Sequence, residues 1–174
     1  MCPAELLAHL VGLVLHQRVE VLHVQGQGLH AEQILGLPKE PRADSGPWNR
    51  ICALPAFWVG LLYDETALDA AWDLVKDFTL AERHALRDGV PRHALALPFR
   101  GGTARDLARE AVKIAAEGLR RRARLDANGS DEARYLDPIL AIAESGETAA
   151  DRKLALYRDA WGGDIDRVFR AFAY

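Results

Sequence analysis

The residues best placed to do chemistry in this sequence lie in one stretch, PFRGGTARD at 98–106. Arg100 and two glycines stand just ahead of a helix start, where free backbone amides and the helix dipole favour an anion. A phosphate or a carboxylate is the ligand such a loop would take. The same residues also read as an ordinary capped loop with a solvent-facing arginine, because Thr103 and Asp106 have capping-box spacing and account for the loop unaided.

No other motif declares a reaction. The sequence holds no G-x-x-x-x-G-K-S/T, no H-E-x-x-H, no C-x-x-C and no G-x-G-x-x-G after a strand. His9, His16, His23 and His30 recur every seven residues. Seven residues of helix rise roughly 10 Å, too far for two of them to share a metal ion, and Gly26 and Gly28 interrupt any such helix. The spacing reads as coincidence. His84 and His93 lie in a charged segment without a paired acid or cysteine and read as surface or partly packed residues. Arg120, Arg121, Arg122 and Arg124 suggest nucleic acid at first sight. Cations in a last helical turn complement its carbonyl end, however, no aromatic is interleaved, and the chain carries a net charge of −3. A solvated helix end is the reading, and nucleic acid is not a partner. Cys52 has no adjacent base or cation to activate it and reads as structural.

The elements that must hold these residues are helical. Pro55 suits a first helical turn, and Phe57, Trp58, Leu61 and Leu62 follow in a segment apolar almost all round, which predicts a buried helix. Asp64 and Glu65 open another, with Leu68, Ala71, Trp72 and Val75 as its apolar stripe and Asp69, Asp73 and Lys76 in water. Thr79 with Glu82, Thr103 with Asp106, and Thr148 with Asp151 mark three helix starts. The second of these helices buries Leu107, Ala111, Ile114 and Ala115. Asp137 and Pro138 open a short helix that Gly146 closes. Ala150, Leu154, Tyr157 and Trp161 stripe the next, and Ile165, Val168, Phe169 and Phe172 give the last its buried face. RVEVLHVQ at 18–25 is the one strand candidate, and none is expected after Pro55.

With 174 residues, 49% hydrophobic and 27% charged, the chain has the make-up of one soluble domain. The apolar run at 53–62 is about half the length of a membrane span, and the stretch at 6–15 is interrupted by His9 and lacks a basic leader. Two cysteines fit a reducing compartment, and the cytoplasm is the expected location.

Longer strings carry a resemblance. ADSGPWNRICALPAFWVGLLYDETAL, FTLAERHALRDGVPRHALALPFRGGTARDLARE, EGLRRRARLD and YLDPILAIAESGETAADRKLALYRDAWGGDIDRVFRAFAY, in this order, closely resemble the C-terminal part of the glutamate-cysteine ligases of plants and many proteobacteria. The resemblance covers residues 43–174 and implies a mostly α chain: the helical C-terminal portion of an α+β, glutamine-synthetase-like ligase, with at most one or two short strands near its N-terminus. It implies the first step of glutathione synthesis. ATP phosphorylates the side-chain carboxylate of glutamate, magnesium ions clamp the charges, and the cysteine amine attacks the acyl phosphate. L-glutamate, L-cysteine and ATP are then the ligands, and a missing catalytic domain or a second copy the protein partner.

Departures are equally informative. Family members are more than twice this length, and most of their ligands for magnesium, ATP and glutamate lie upstream of what is present here. KEPRADSGPW keeps Glu40, Arg42 and Asp44 of the family's Glu-x-Arg-Gly-Ala-Asp pattern but lacks one residue, and Pro38 and Pro41 suit a central strand badly. Residues 1–42 form an atypical segment, and its first 38 or so match nothing in the family. The expectation is a chain begun inside a longer gene, with an altered or misframed start. Asp164 and Arg167 stand where relatives more often carry serine and proline, and little functional consequence is expected. Glu40 and Arg42, by partial match to the pattern, and Trp48 and Arg100, by position, are the candidate substrate-binding residues. Because acyl transfer needs several elements to position its groups together, the isolated chain is expected to be inactive. The competing reading is a non-catalytic helical module or subunit derived from the ligase.

Overall fold

The structure is a computed structural model, and it describes residues 48–172. The chain runs through α1 (Trp48–Ile51), α2 (Ala53–Leu62), α3 (Glu65–Val75) and α4 (Leu80–His93). A 3-10 turn (Ala94–Ala96) leads to strands β1 (Pro98–Phe99) and β2 (Gly102–Thr103). After them come α5 (Ala104–Arg122), a second 3-10 turn (Glu132–Leu136), α6 (Asp137–Ser145), α7 (Ala149–Ala155), a π turn (Leu156–Ala160) and α8 (Ile165–Ala171). The mostly α fold agrees with the sequence reading. One detail needs correcting: β1 and β2 form an antiparallel pair in a region where no strand is expected. Strands of two residues are too short to show any periodicity. What makes the pair is its turn, since Arg100 (φ 47°) and Gly101 (φ 79°) both adopt left-handed backbone, the geometry whose twist matches a tight hairpin. The strand candidate at 18–25 lies outside the described residues.

The nineteen residues of α5 form the hub. Its buried stripe runs through Leu107, Ala111, Ile114 and Ala115, as the spacing predicts, and widens to include Ala104, Ala108, Val112 and Leu119. Helix α2, apolar nearly all round, lies directly on it and buries Ala53, Ala56, Phe57 and Leu61. Where the two cross, Gly60 and Gly118 bring backbone against backbone. A Cβ on Gly118 would meet the Gly60 carbonyl oxygen at 2.0 Å, and one on Gly60 would meet that of Ala115 at 2.3 Å. Only glycine allows this approach.

Helix α3 begins where Asp64 accepts a hydrogen bond from the Ala67 amide at 2.8 Å. Its buried line is Ala67, Ala71 and Val75; Ala71 and Val75 are buried as expected, whereas Leu68 and Trp72 are half-buried, so the stripe is rotated part of a position toward Ala67. All three expected capping boxes form. The Thr79 amide donates to Glu82, that of Thr103 to Asp106 and that of Thr148 to Asp151, at 2.7, 2.9 and 2.9 Å. Helix α6 ends on Gly146, whose φ of 76° makes the left-handed cap.

Beyond Thr148 the picture changes. No residue from 149 to 172 is buried. The buried face expected for the last helix is therefore corrected: Ile165 is 53% and Phe169 71% exposed, and Leu154 on α7 is 46% exposed. The described core is already closed by α6, and the segment holds its own small contacts instead. Trp161 and Phe172 lie ring to ring at 6.1 Å, with the Lys153 ammonium 4.8 Å above the Phe172 ring centre.

Candidate functional site

The sequence points first to the loop ahead of α5, and the hairpin puts Arg100 at its tip. From there the guanidinium reaches back over the α3–α4 junction. Nε donates to one oxygen of Glu82 at 2.6 Å and Nη2 to the other at 2.9 Å, while Nη2 also donates to the Asp77 carbonyl. The two-pronged geometry matches a planar guanidinium to a planar carboxylate. The guanidinium carbon sits 4.6 Å above the Phe78 ring centre, and Phe78 in turn meets Phe99 edge to face at 5.0 Å. Arg100 thus joins the hairpin to the start of α4 through a charge, a carbonyl and an aromatic face.

The electrostatics follow. Arg100 foremost, then the Thr79 amide and hydroxyl, hold the Glu82 carboxyl down to about 2. Glu82 raises the guanidinium reciprocally. The anion Arg100 meets is a carboxylate of its own chain. The nearby amides are engaged too: that of Ala104 donates to the Leu97 carbonyl at 2.8 Å and that of Thr103 to Asp106.

The other candidates fall elsewhere. Glu40 and Arg42 lie outside the described residues, and Trp48 opens the backbone of α1. Of the four candidates, only Arg100 has a described side chain. Two of the arginines at the end of α5, Arg121 and Arg122, lie against carboxylates. Arg121 pairs with Asp64 at 2.8 Å, and this partner foremost, with the Ala67 amide, lowers the Asp64 carboxyl. Arg122 lies 3.5 Å from Glu132 and over the Tyr63 ring. His84, His93 and Cys52 are exposed. Trp58 and Trp72 pack half-buried against the core, while Trp161 packs on Phe172 outside it.

An open groove of about 470 Å³ runs between α5 and α6, bottomed by Val112 and Ala116 and rimmed by Arg109, Lys113, Leu140 and Glu144. Arg109 and Glu144 face each other across it at 3.4 Å. Its mixed charges favour no one ligand sign. Among the described residues no three His, Cys, Asp or Glu side chains gather as metal ligands would. Sequence reasoning missed the partners of Arg100. Glu82 is legible as a capping residue, yet nothing in a linear string shows that its second role is to receive an arginine eighteen positions on.

Comparison with known proteins adds what the geometry does not. The family described as Glutamate-cysteine ligase family 2 (GCS2) matches residues 42–171. The chain is 44% identical over 132 residues to the chloroplastic glutamate-cysteine ligase of Nicotiana tabacum, which is 76% of this chain and 24% of that protein. It is 45% identical to the chloroplastic enzyme of Arabidopsis thaliana, again over 76% of this chain and 24% of that one. With chloroplastic glutamate-cysteine ligase A of Oryza sativa subsp. indica the figures are 46%, 76% and 26%. The chain spans about a quarter of the length of the curated relatives it matches. Their names also correct the expected cytoplasmic location, since these relatives are chloroplastic. Cysteine scarcity reports a redox condition, and more than one compartment can supply it.

Proposed function

The chain belongs to glutamate-cysteine ligase family 2, and from that premise we propose that it is the helical C-terminal part of an enzyme that joins glutamate to cysteine with ATP. The observation that carries this reading is the match through residues 42–171, at 44–46% identity with the ligases of tobacco, Arabidopsis and rice. In the proposed reaction the glutamate side-chain carboxylate takes the terminal phosphoryl group of ATP, and ADP leaves. The cysteine amine then attacks the acyl carbon, the C–N bond forms, phosphate departs and the amine proton is lost to solvent. The product is γ-glutamylcysteine, which places the enzyme in glutathione biosynthesis.

The described residues suit a supporting part in this. Several of their carboxylates are taken up by arginines and caps, as Glu82, Asp64 and Asp106 illustrate. The magnesium ligands belong in this reading to the part of the enzyme upstream. Residues 1–42 would then be a segment distinct from the ligase-derived 43–174. Glu40, Arg42, Trp48 and Arg100 remain the substrate-binding candidates of this reading, Arg100 through the hairpin it holds ahead of α5.

Acyl transfer depends on several elements aligning two substrates at once, so the 174-residue chain alone is expected to show no turnover. The test is ADP release that requires both glutamate and cysteine, measured on this chain alone and on the chain co-expressed with the upstream part of the tobacco ligase. Silence alone and turnover in the co-expressed pair is the expected result. Silence in a purified pair would overturn the reading.

A further inference from the structure

Building on that reading, we propose that the face of α8 bearing Ile165 and Phe169 is the surface on which the remaining three quarters of the ligase polypeptide docks. Ile165 and Phe169 are four residues apart and so share one side of the helix. They are among the most exposed large apolar side chains described, and Phe169 equals Tyr63 as the most exposed at 71%. Apolar spacing built this stripe as it built that of α5, yet α5 buries its stripe and α8 buries nothing.

Both helices of the segment are capped. Asp164 caps α8 by accepting from the Asp166 amide at 3.0 Å, and Thr148 caps α7 while only 2% exposed. Trp161 and Phe172 pack together within it. Among the described residues nothing covers the stripe.

The identity of the cover follows from length. The family match continues through residue 171, past both exposed residues, so this helix belongs to the ligase-derived part. About three quarters of each relative has no counterpart in this chain. A family-derived stripe and a missing family-derived polypeptide are the two halves of one interface. Charges flanking the stripe, Asp166, Arg167 and Arg170, are exposed and of both signs, the make-up of a polar rim around an apolar centre.

The test co-expresses the full 174-residue chain with a tagged upstream part of the Nicotiana tabacum ligase, using the wild-type chain and the Ile165→Asp, Phe169→Asp double variant. Both positions are exposed, so the variant should unfold at the same temperature as the wild type, a control read by circular dichroism. Capture of the wild type with at least tenfold less of the variant is expected. Equal capture of both overturns the inference, as does capture of neither. A wild-type dimer that dissociates in the variant also overturns it, because a second copy is then the occupant. The ligase reading is scored separately on the captured complex. An active complex whose capture ignores the variant sinks only the docking surface, and variant-sensitive capture of an inactive complex sinks only the activity.

Discussion

Replacing Gly118 with alanine tests the central claim about the fold, that α2 and α5 meet backbone to backbone. The new Cβ would lie 2.0 Å from the Gly60 carbonyl oxygen and 2.9 Å from the Ala67 Cβ. Close carbon–oxygen contacts settle at about 3.3–3.6 Å, so the helices must part by more than 1 Å. A gap of about 0.5–1 Å already forfeits a quarter to a half of the dispersion attraction across an interface. Overpacking of this kind costs about 1–3 kcal/mol, and the upper end applies because backbone cannot step aside as a side chain can. Alanine returns about 1 kcal/mol through its better helix propensity. The net loss is about 2 kcal/mol, or a fall in Tm of roughly 6 °C for a body of this size. Gly89→Ala is the comparison. Its Cβ would meet the tip of Leu97 at 2.6 Å, a flexible group that can move, so its cost should stay below about 1 kcal/mol. Thermal unfolding followed by far-UV circular dichroism reads both. An unchanged or raised Tm for Gly118→Ala, or a fall no larger than that of Gly89→Ala, would refute the close crossing.

Thr148→Ala removes a buried cap and should destabilise by about 1–2 kcal/mol, seen in urea unfolding, while Thr148→Ser should restore most of it. Glu82 titrates at about 2 in the folded chain against an ordinary 4.5. A lowered carboxyl supports the fold above its unfolded value, and the support drains away as pH falls from 4.5 toward 2. Glu82→Gln and Arg100→Ala should each lower Tm at pH 7 and flatten its decline in that acid window. A wild-type slope retained in either variant would break the assignment.

The three capping boxes, the Asp64 start and the Gly146 stop were all legible in the sequence, because each is written within four residues and depends on no distant partner. The α5 stripe was legible for a similar reason: nine buried positions in nineteen residues give a clear period. The rotated line of α3 shows where this fails. Ala67 is small, so its burial registers weakly beside Leu68 and Trp72, and the neighbour that selects it is α5. The hairpin was hidden by its brevity, and the Arg100–Glu82 pair by the eighteen residues between its members. For α8 the period was read correctly and its burial was not, since periodicity says that a face is apolar without saying whose chain covers it.

The segment from Ala149 to Phe172 carries a thermodynamic consequence. Helix α8, with seven residues, falls well short of the ~12–15 needed to persist in water unaided, and α7 reaches the lower end of that range only by running on into the π turn at Leu156–Ala160. Caps and one ring pair supply little of the difference. Part of the favourable free energy released when a partner arrives must therefore go into ordering this tail, giving an association weaker per unit of contact area, and more readily reversed, than rigid surfaces would achieve.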